Sequence, residues 1–201
     1  MSRNAERPVV GAQPGAEDLF KKAGVVREGH FELTSGLHSG VYWEKFRILQ
    51  YPEYTGTLCK MIADFYRGRK PGVVVGPTTG GVILSYETAR HLGVRGIFAE
   101  KEGTVRTLRR DFHIEPGEKV LIVDDVLTTG KSVRETLDAV RAVGGDVVGV
   151  GVLVDRSQSP VEFGVPLFSC LRAPAVAYVP SLCPLCEAGV PLIRPGSSHQ
   201  S

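Results

Sequence analysis

The chain is short of cysteine, of long apolar runs and of any excess of one charge, and each shortage removes a class of protein. Four cysteines in 201 residues, Cys59, Cys170, Cys183 and Cys186, are too sparse for the disulfide framework of a secreted domain, so reduced thiols are expected. The most apolar stretches, residues 120–123 and 147–154, fall far short of the roughly 18 residues a membrane-spanning helix requires. Subtracting 22 Asp+Glu from 24 Lys+Arg leaves +2, which gives no basic footprint of the kind that marks a nucleic-acid binder. Arg3 and Arg7 are followed by Pro8, Gly11 and Pro14 instead of an apolar block, so no secretory signal is expected and cytoplasmic residence is the default. No internal repeat is visible.

What remains is an ordinary globular composition, 42% hydrophobic and 23% charged. A chain this long buries about 70% of its unfolded surface, enough for a core without a metal or disulfide. Residues 1–15 and 194–201 carry no helical or strand period and are expected to be a leader and a tail around one domain at 16–193. Pro52 begins a helix whose face is Tyr54, Leu58, Ile62, Phe65 and Tyr66. Residues 73–75 predict a strand, followed by Gly76-Pro77-Thr78-Thr79-Gly80-Gly81 and a helix with Val82, Tyr86 and Ala89 on its face, closed by Gly93. Residues 96–99 are a third strand, and the polar stretch 100–117 is expected to be a solvated loop or loose hairpin. Strands at 120–123 and 147–154 flank a helix from about Ser132 with Val133, Leu137 and Val140 on one face. The alternation predicts an α/β fold with a mainly parallel sheet flanked by helices, binding ligands at the strands' carboxyl ends. Beyond about residue 160 the pattern is too irregular to assign elements.

One segment carries the chemistry: Val120-Leu121-Ile122-Val123-Asp124-Asp125-Val126-Leu127-Thr128-Thr129-Gly130-Lys131-Ser132. Two unpaired carboxylates inside a core would cost several kcal/mol, so the acidic pair is expected to emerge at the sheet's rim. Hydroxyls, a glycine and a lysine then open a helix, so backbone N–H groups and the positive helix end face the same space. A plain polar turn needs no acidic pair beside it, whereas a sugar phosphate uses both: carboxylates for ribose hydroxyls, the loop for phosphate. Gly130-Lys131-Ser132 is not the end of a nucleoside-triphosphatase loop, because position 125 is Asp where that motif needs glycine. No G-x-G-x-x-G follows a strand, which disfavours a dinucleotide site.

With these thirteen residues the chain resembles the phosphoribosyltransferases, and within them it is most similar to the orotate enzymes. Three further segments carry the narrower likeness: Phe31-Glu32-Leu33-Thr34-Ser35-Gly36-Leu37-His38-Ser39 with Val41-Tyr42-Trp43, then Gly76-Pro77 before residues 78–81, then Asp155-Arg156. The resemblance implies the type I phosphoribosyltransferase fold, with a small N-terminal hood over the base and an irregular C-terminal segment. It also implies transfer of ribose 5-phosphate from 5-phosphoribosyl 1-diphosphate to orotate, in pyrimidine synthesis. Thr128, Thr129, Gly130, Lys131 and Ser132 would hold the 5-phosphate, with Val126 and Leu127 in the same binding segment. Asp124 and Asp125 would meet the ribose hydroxyls, and Thr128 and Arg156 the orotate. Independently of the resemblance, a planar guanidinium can hold a carboxylate with two parallel hydrogen bonds, which suits Arg156; a surface salt bridge to Asp155 or a neighbour is the alternative.

Lys101, Arg106 and Asp124 are the expected catalytic groups. Thr34 stands where many orotate enzymes carry a lysine, and Thr79-Gly80 where they often carry Tyr-Lys, so Arg106, Arg109 or Arg110 is expected to supply the charge facing the departing diphosphate. The resemblance further implies Mg2+ bound through the diphosphate and a homodimer whose loop 101–110 reaches the neighbouring site. Cys183 and Cys186 supply half of a structural zinc site. With no second C-x-x-C and with His199 in the tail, they are expected to be packed or surface thiols, and no residue is assigned as a metal ligand. A transferase for another base and a non-catalytic donor sensor stay open as alternatives. The sensor is disfavoured by the low charge and by the lack of an added DNA-binding domain.

Overall fold

The computed structural model describes Val9–Val10, residues 15–33 and residues 35–195. Thr34 and His199 therefore lie outside the described residues, as does most of the expected leader and tail. Nine strands and six short or regular α-helices follow one another in these residues. They are β1 (Val9–Val10), α1 (Ala16–Lys22), β2 (Val26–Glu32), β3 (His38–Trp43), α2 (Phe46–Leu49), α3 (Pro52–Tyr66), β4 (Val73–Pro77) and α4 (Gly80–Leu92). Then come β5 (Arg95–Glu102), β6 (Val105–Leu108), β7 (Lys119–Leu127), α5 (Lys131–Ala142), β8 (Asp146–Asp155), β9 (Leu167–Arg172) and α6 (Pro184–Glu187).

The main sheet has the order β1-β9-β8-β7-β4-β5-β6 and is parallel throughout, except that β6 turns back antiparallel on β5. From β4 the chain crosses through α4 to β5 on one side, and from β7 through α5 to β8 on the other. The order thus reverses between β4 and β7, and a crevice opens at their carboxyl ends, where open α/β sheets bind ligands. Both faces of the sheet are covered. Val74, Leu121, Val123 and Leu153 pack with Leu58, Ile62, Tyr66 and Leu84 of α3 and α4. Val73, Val75, Val120, Ile122, Val150 and Val152 pack with Val133, Leu137 and Val140 of α5. The period-two split of adjacent apolar residues explains why β7 reads as an unbroken hydrophobic run. Among the described residues no helix is long and apolar enough to cross a membrane.

The structure departs from or adds to the sequence expectations in three places. Tyr86 is 69% exposed, and α4 buries Gly81, Leu84, Ser85, Thr88 and Ala89 instead. Counting only large apolar residues missed a face made small so that the helix can lie against β5, where a Cβ on Gly96 would come 2.8 Å from the Ser85 carbonyl oxygen. The polar stretch takes the hairpin form of its two expected ones, with Lys101 opposite Arg106 and a turn at Gly103. Val9–Val10, within the expected leader, pairs in parallel with Phe168 and Ser169. The unassigned region supplies β9, buried between β8 and β1.

Beside this sheet stands a two-stranded one, β2 antiparallel to β3. Its anchors are remote in sequence. Phe31 bridges Ile193 and His38 bridges Tyr178, through hydrogen bonds from the Glu32 N–H to the Ile193 carbonyl (2.9 Å) and from the His38 N–H to the Tyr178 carbonyl (2.8–2.9 Å across the pair).

Candidate active site

The crevice between β4 and β7 holds a cavity of about 1020 Å³ that continues, past Thr128, Thr129 and Ser132, into a hollow of about 260 Å³. Asp124 and Asp125 line the larger cavity. They reach the crevice near the carboxyl end of β7, as expected, but are buried there, only 5% and 3% exposed, and β7 continues past them to Leu127. Burial is compensated by specific partners. The Ser132 hydroxyl donates to Asp124 Oδ2 at 2.6 Å, and the Asp125 N–H donates to Asp124 Oδ1 at 2.8 Å. The Val126 N–H donates to Asp125 Oδ1 at 2.7 Å, and the Lys45 ammonium lies 3.0–3.1 Å from both Asp125 oxygens. Burial, and next the Asp125 charge, push the Asp124 carboxyl up to about 6.

Thr128, Thr129, Gly130, Lys131 and Ser132 wrap the smaller hollow, with the backbone of Val126 at its edge. The helix cap is Gly130, at φ +78°, with no side-chain hydrogen bond; Ser132 turns its hydroxyl to Asp124 rather than capping. The first N–H groups of α5 therefore point into a hollow with no side chain satisfying them, a ready anion cradle. Leu127 does not line it: the side chain is 1% exposed, in the core under α5, while its carbonyl accepts the Arg156 N–H at 2.8 Å. Across the crevice, Pro77, Thr78, Thr79 and Gly80 form the opposite wall. Gly80 is required there, since a Cβ would collide with the Asp125 carboxylate.

Of the expected cations, Lys101, Arg106 and Lys131 line the small hollow. Arg106 is held from three sides: Nη1 donates to Thr78 Oγ1 (3.3 Å) and to the Ala99 carbonyl (3.2 Å), and Nε lies 3.4 Å from Glu135. Arg109 and Arg110 point elsewhere, to Glu102 at 3.8 Å and Glu100 at 2.9 Å, in exposed pairs. Of the three arginines, only Arg106 lines the hollow.

At the far end of the larger cavity, Leu33, Ser35, Leu37, Tyr42 and Trp43 of the hood face Arg156. Arg156 is 8% exposed, its Cζ 5.3 Å from the Trp43 ring centroid, and its Nε has no hydrogen-bond partner. The alternative of a salt bridge to Asp155 does not hold, because that carboxylate is taken by Arg172, the Ser157 hydroxyl and the Ser157 N–H. Burial lowers the Arg156 pKa, so a planar anion would find there a cation stripped of water and without an internal partner. Sequence reasoning missed Lys45, which balances Asp125, and Glu135, which orients Arg106. Only a lone lysine two residues after Trp43, and a carboxylate in the first turns of α5, could have signalled them.

The phosphoribosyl transferase domain family matches residues 48–170. An orotate phosphoribosyltransferase of Pelotomaculum thermopropionicum is 53% identical over 179 residues, 89% of this chain and 94% of that one. A second, of Caldanaerobacter subterraneus subsp. tengcongensis, is 47% identical over 90% of this chain and 95% of its own. Among solved structures, orotate phosphoribosyltransferase from Aeropyrum pernix superposes with a TM-score of 0.67 at 29% identity, covering 79% of this chain and 93% of that one. Adenine phosphoribosyltransferase from Rhodothermus marinus shares the fold, with a TM-score of 0.63 at 23% identity over 80% of this chain and all of its own. With the crevice, its acidic pair and its phosphate loop already in place, these likenesses fix the chain as a member of the phosphoribosyltransferase family, in its orotate phosphoribosyltransferase branch.

Proposed function

We propose that this crevice transfers ribose 5-phosphate from 5-phosphoribosyl 1-diphosphate to a ring nitrogen of orotate, releasing diphosphate and orotidine 5-phosphate. The observation that carries this reading is the convergence on one cavity of three things: an unsatisfied helix start, a buried acidic pair, and a buried arginine with no carboxylate partner. The α5 start and residues 128–132 take the 5-phosphate. Asp124 and Asp125 accept hydrogen bonds from the ribose hydroxyls. Thr128 and Arg156 hold orotate under the hood, the guanidinium engaging its carboxylate.

As the bond at the anomeric carbon breaks, positive charge develops on the sugar and negative charge on the leaving group, so positioning and electrostatics do most of the catalysis. The carboxylates sit below the sugar's developing cation. Lys101 and Arg106, which line the small hollow in this structure, turn to the leaving diphosphate as the hairpin that carries them closes and keeps water from the activated sugar. Both oxygens of Asp124 and Oδ1 of Asp125 accept hydrogen bonds from the chain, while Asp125 Oδ2 has the Lys45 ammonium at 3.0 Å and no hydrogen-bond partner. That donor set suits Mg2+ brought in on the substrate's own oxygens and waters, near Asp125, and not an all-protein cage. When bound, the cation supplies neutralisation of the leaving group's charge. We place the reaction in the cytoplasm and in a homodimer whose hairpins, with the exposed Val105 near each tip, reach across to the partner's site.

Loss of orotate absorbance on mixing protein, donor and Mg2+ tests the activity, with uracil and adenine as parallel substrates. Orotate alone should be consumed, and Arg156→Lys should lower kcat/KM for orotate by about 10–100-fold by removing the forked contact. Turnover of another base in preference to orotate would reject the assignment.

A further inference from the structure

Outside the crevice, and outside the residues the family model covers, four side chains meet beneath the hood: His30 of β2, His38 of β3, and Cys183 and Cys186 on either side of the first turn of α6. One nitrogen or sulfur from each lies within 4.8 Å of all the others. His30 Nε2 is 3.0 Å from His38 Nδ1, 3.5 Å from Cys183 Sγ and 3.7 Å from Cys186 Sγ; Cys186 Sγ is 3.3 Å from His38 Nδ1. A tetrahedral zinc with bonds of about 2.0–2.1 Å to nitrogen and about 2.3 Å to sulfur sets edges near 3.4 Å for N···N, about 3.6 Å for N···S and about 3.8 Å for S···S. The four known edges lie within about 0.4 Å of these values, and the other two, from Cys183 Sγ to Cys186 Sγ and to His38 Nδ1, are no longer than 4.8 Å. We propose that His30, His38, Cys183 and Cys186 bind a structural zinc ion that fastens the hood to the C-terminal segment.

Two features outside the ligand atoms favour this occupant. The other ring nitrogen of His30, Nδ1, lies 2.8 Å from the Val190 carbonyl, so it carries the hydrogen and leaves Nε2 as a bare lone pair aimed at the cluster. This is the outer contact by which zinc-bound histidines are oriented. The C-x-x-C turn is closed by backbone hydrogen bonds from the Cys186 and Glu187 N–H groups to the Cys183 carbonyl, at 3.1 and 3.2 Å, which turns both sulfurs to one side. Two thiolates with two imidazoles select zinc over the oxygen-seeking Mg2+ or Ca2+. Four protein ligands leave no open position, so the ion is a staple and takes no part in the reaction.

A staple has a purpose at this place. The C-terminal segment has little regular structure and exposes Val176, Val179, Leu182, Leu192 and Ile193, so its own apolar burial is thin. Yet it bridges both hood strands, and Arg194 at its end pairs with Glu32 at the cavity wall. Joining residues some 150 apart closes a long loop, where one cross-link offsets the most chain entropy.

Elemental analysis of the full chain, purified without a histidine tag and passed through gel filtration, tests this. The expectation is about one zinc per chain, with cobalt in its place giving the absorbance of a tetrahedral thiolate site. His38→Ala and Cys183→Ser should lose the metal. His38→Cys, which restores a fourth ligand, should keep it, and so should His113→Asn, far out on the surface. Donor binding by each variant checks folding independently of the metal. Chelation of the wild type should lower Tm by roughly 10 °C. Folded wild-type protein holding under about a tenth of an equivalent after incubation with zinc, or a Cys183–Cys186 disulfide found by mass spectrometry, would overturn the proposal, as would His38→Ala retaining full zinc.

Discussion

The two ends of the cavity are built in opposite ways. The donor end is local: one strand, one turn and one helix start, residues 120–132, supply the carboxylates, hydroxyls and amides, with the short wall at 77–80 opposite. The base end is assembled from a distance. Its hood, β2 and β3, is anchored to residues 176–195 by the Val176, Tyr178 and Ile193 carbonyls, the Arg194–Glu32 pair and the four-residue cluster. The difference teaches that donor binding should survive loosening of the hood, whereas recognition of the base should depend on contacts spanning most of the chain.

The largest effect falls on the local end. Asp124→Asn should lower kcat/KM by about 10²–10³-fold, the loss typical of removing one preorganised charge from a reacting centre. The same change should stabilise the fold. Burial raises this carboxyl from 3.8 to about 6, so the unfolded chain ionises first as pH rises. Its favourable contribution is intact below about pH 4, fades between 4 and 6, and is gone at pH 7, where the ionised group costs on the order of 3 kcal/mol. The asparagine variant should therefore melt several degrees higher at pH 7 and no higher near pH 4. An equal Tm gain at both values would show that the burial of charge is not its cause.

Next comes the hairpin that closes the donor end. Lys101→Ala should lower kcat by about 10–100-fold with little change in donor affinity, because the loss is felt as the diphosphate departs. Mixing this variant with Asp124→Asn and letting subunits exchange separates two geometries. If each hairpin serves the partner's site, mixed dimers regain one working site, about a quarter of wild-type activity in a random mixture. No regain would assign Lys101 to its own chain's hollow, which it already lines.

Legibility in the sequence followed the same division. The acidic pair and phosphate loop could be read because contiguous residues set their geometry, and the period-two strands with their intervening helices gave the sheet. The sequence marks Arg106 as a catalytic candidate but leaves Arg109 and Arg110 able to supply the same charge, since what holds Arg106 at the hollow is Thr78, Ala99 and Glu135 converging from separate elements. Lys45 was missed because its partner, Asp125, lies 80 residues away. The C-x-x-C was seen, but its company was not: the other half of the cluster comes from two histidines on a hairpin some 150 residues earlier, and no spacing rule links them. The acidic pair reaches the crevice as its sequence position implies, but its burial there could not be read, because Ser132, Lys45 and backbone amides are what satisfy it.

The smallest effect tests the remote end. Ser39, on β3, donates its hydroxyl to the Val176 carbonyl at 2.8 Å and accepts the Val41 N–H at 3.2 Å, so it links hood to C-terminal segment without touching the cavity. Ser39→Ala leaves both backbone groups short of a partner in a part-buried position, a loss of about 1 kcal/mol and a few degrees of Tm. Since the crevice loop is untouched, the donor's KM should stay within error, while the KM for orotate rises a few-fold as the hood samples looser positions over Arg156. Parallel initial-rate titrations of the two substrates read this directly. A matching rise in both constants would mean that hood and crevice move as one body, and the division drawn between the two ends of the cavity would have to be abandoned.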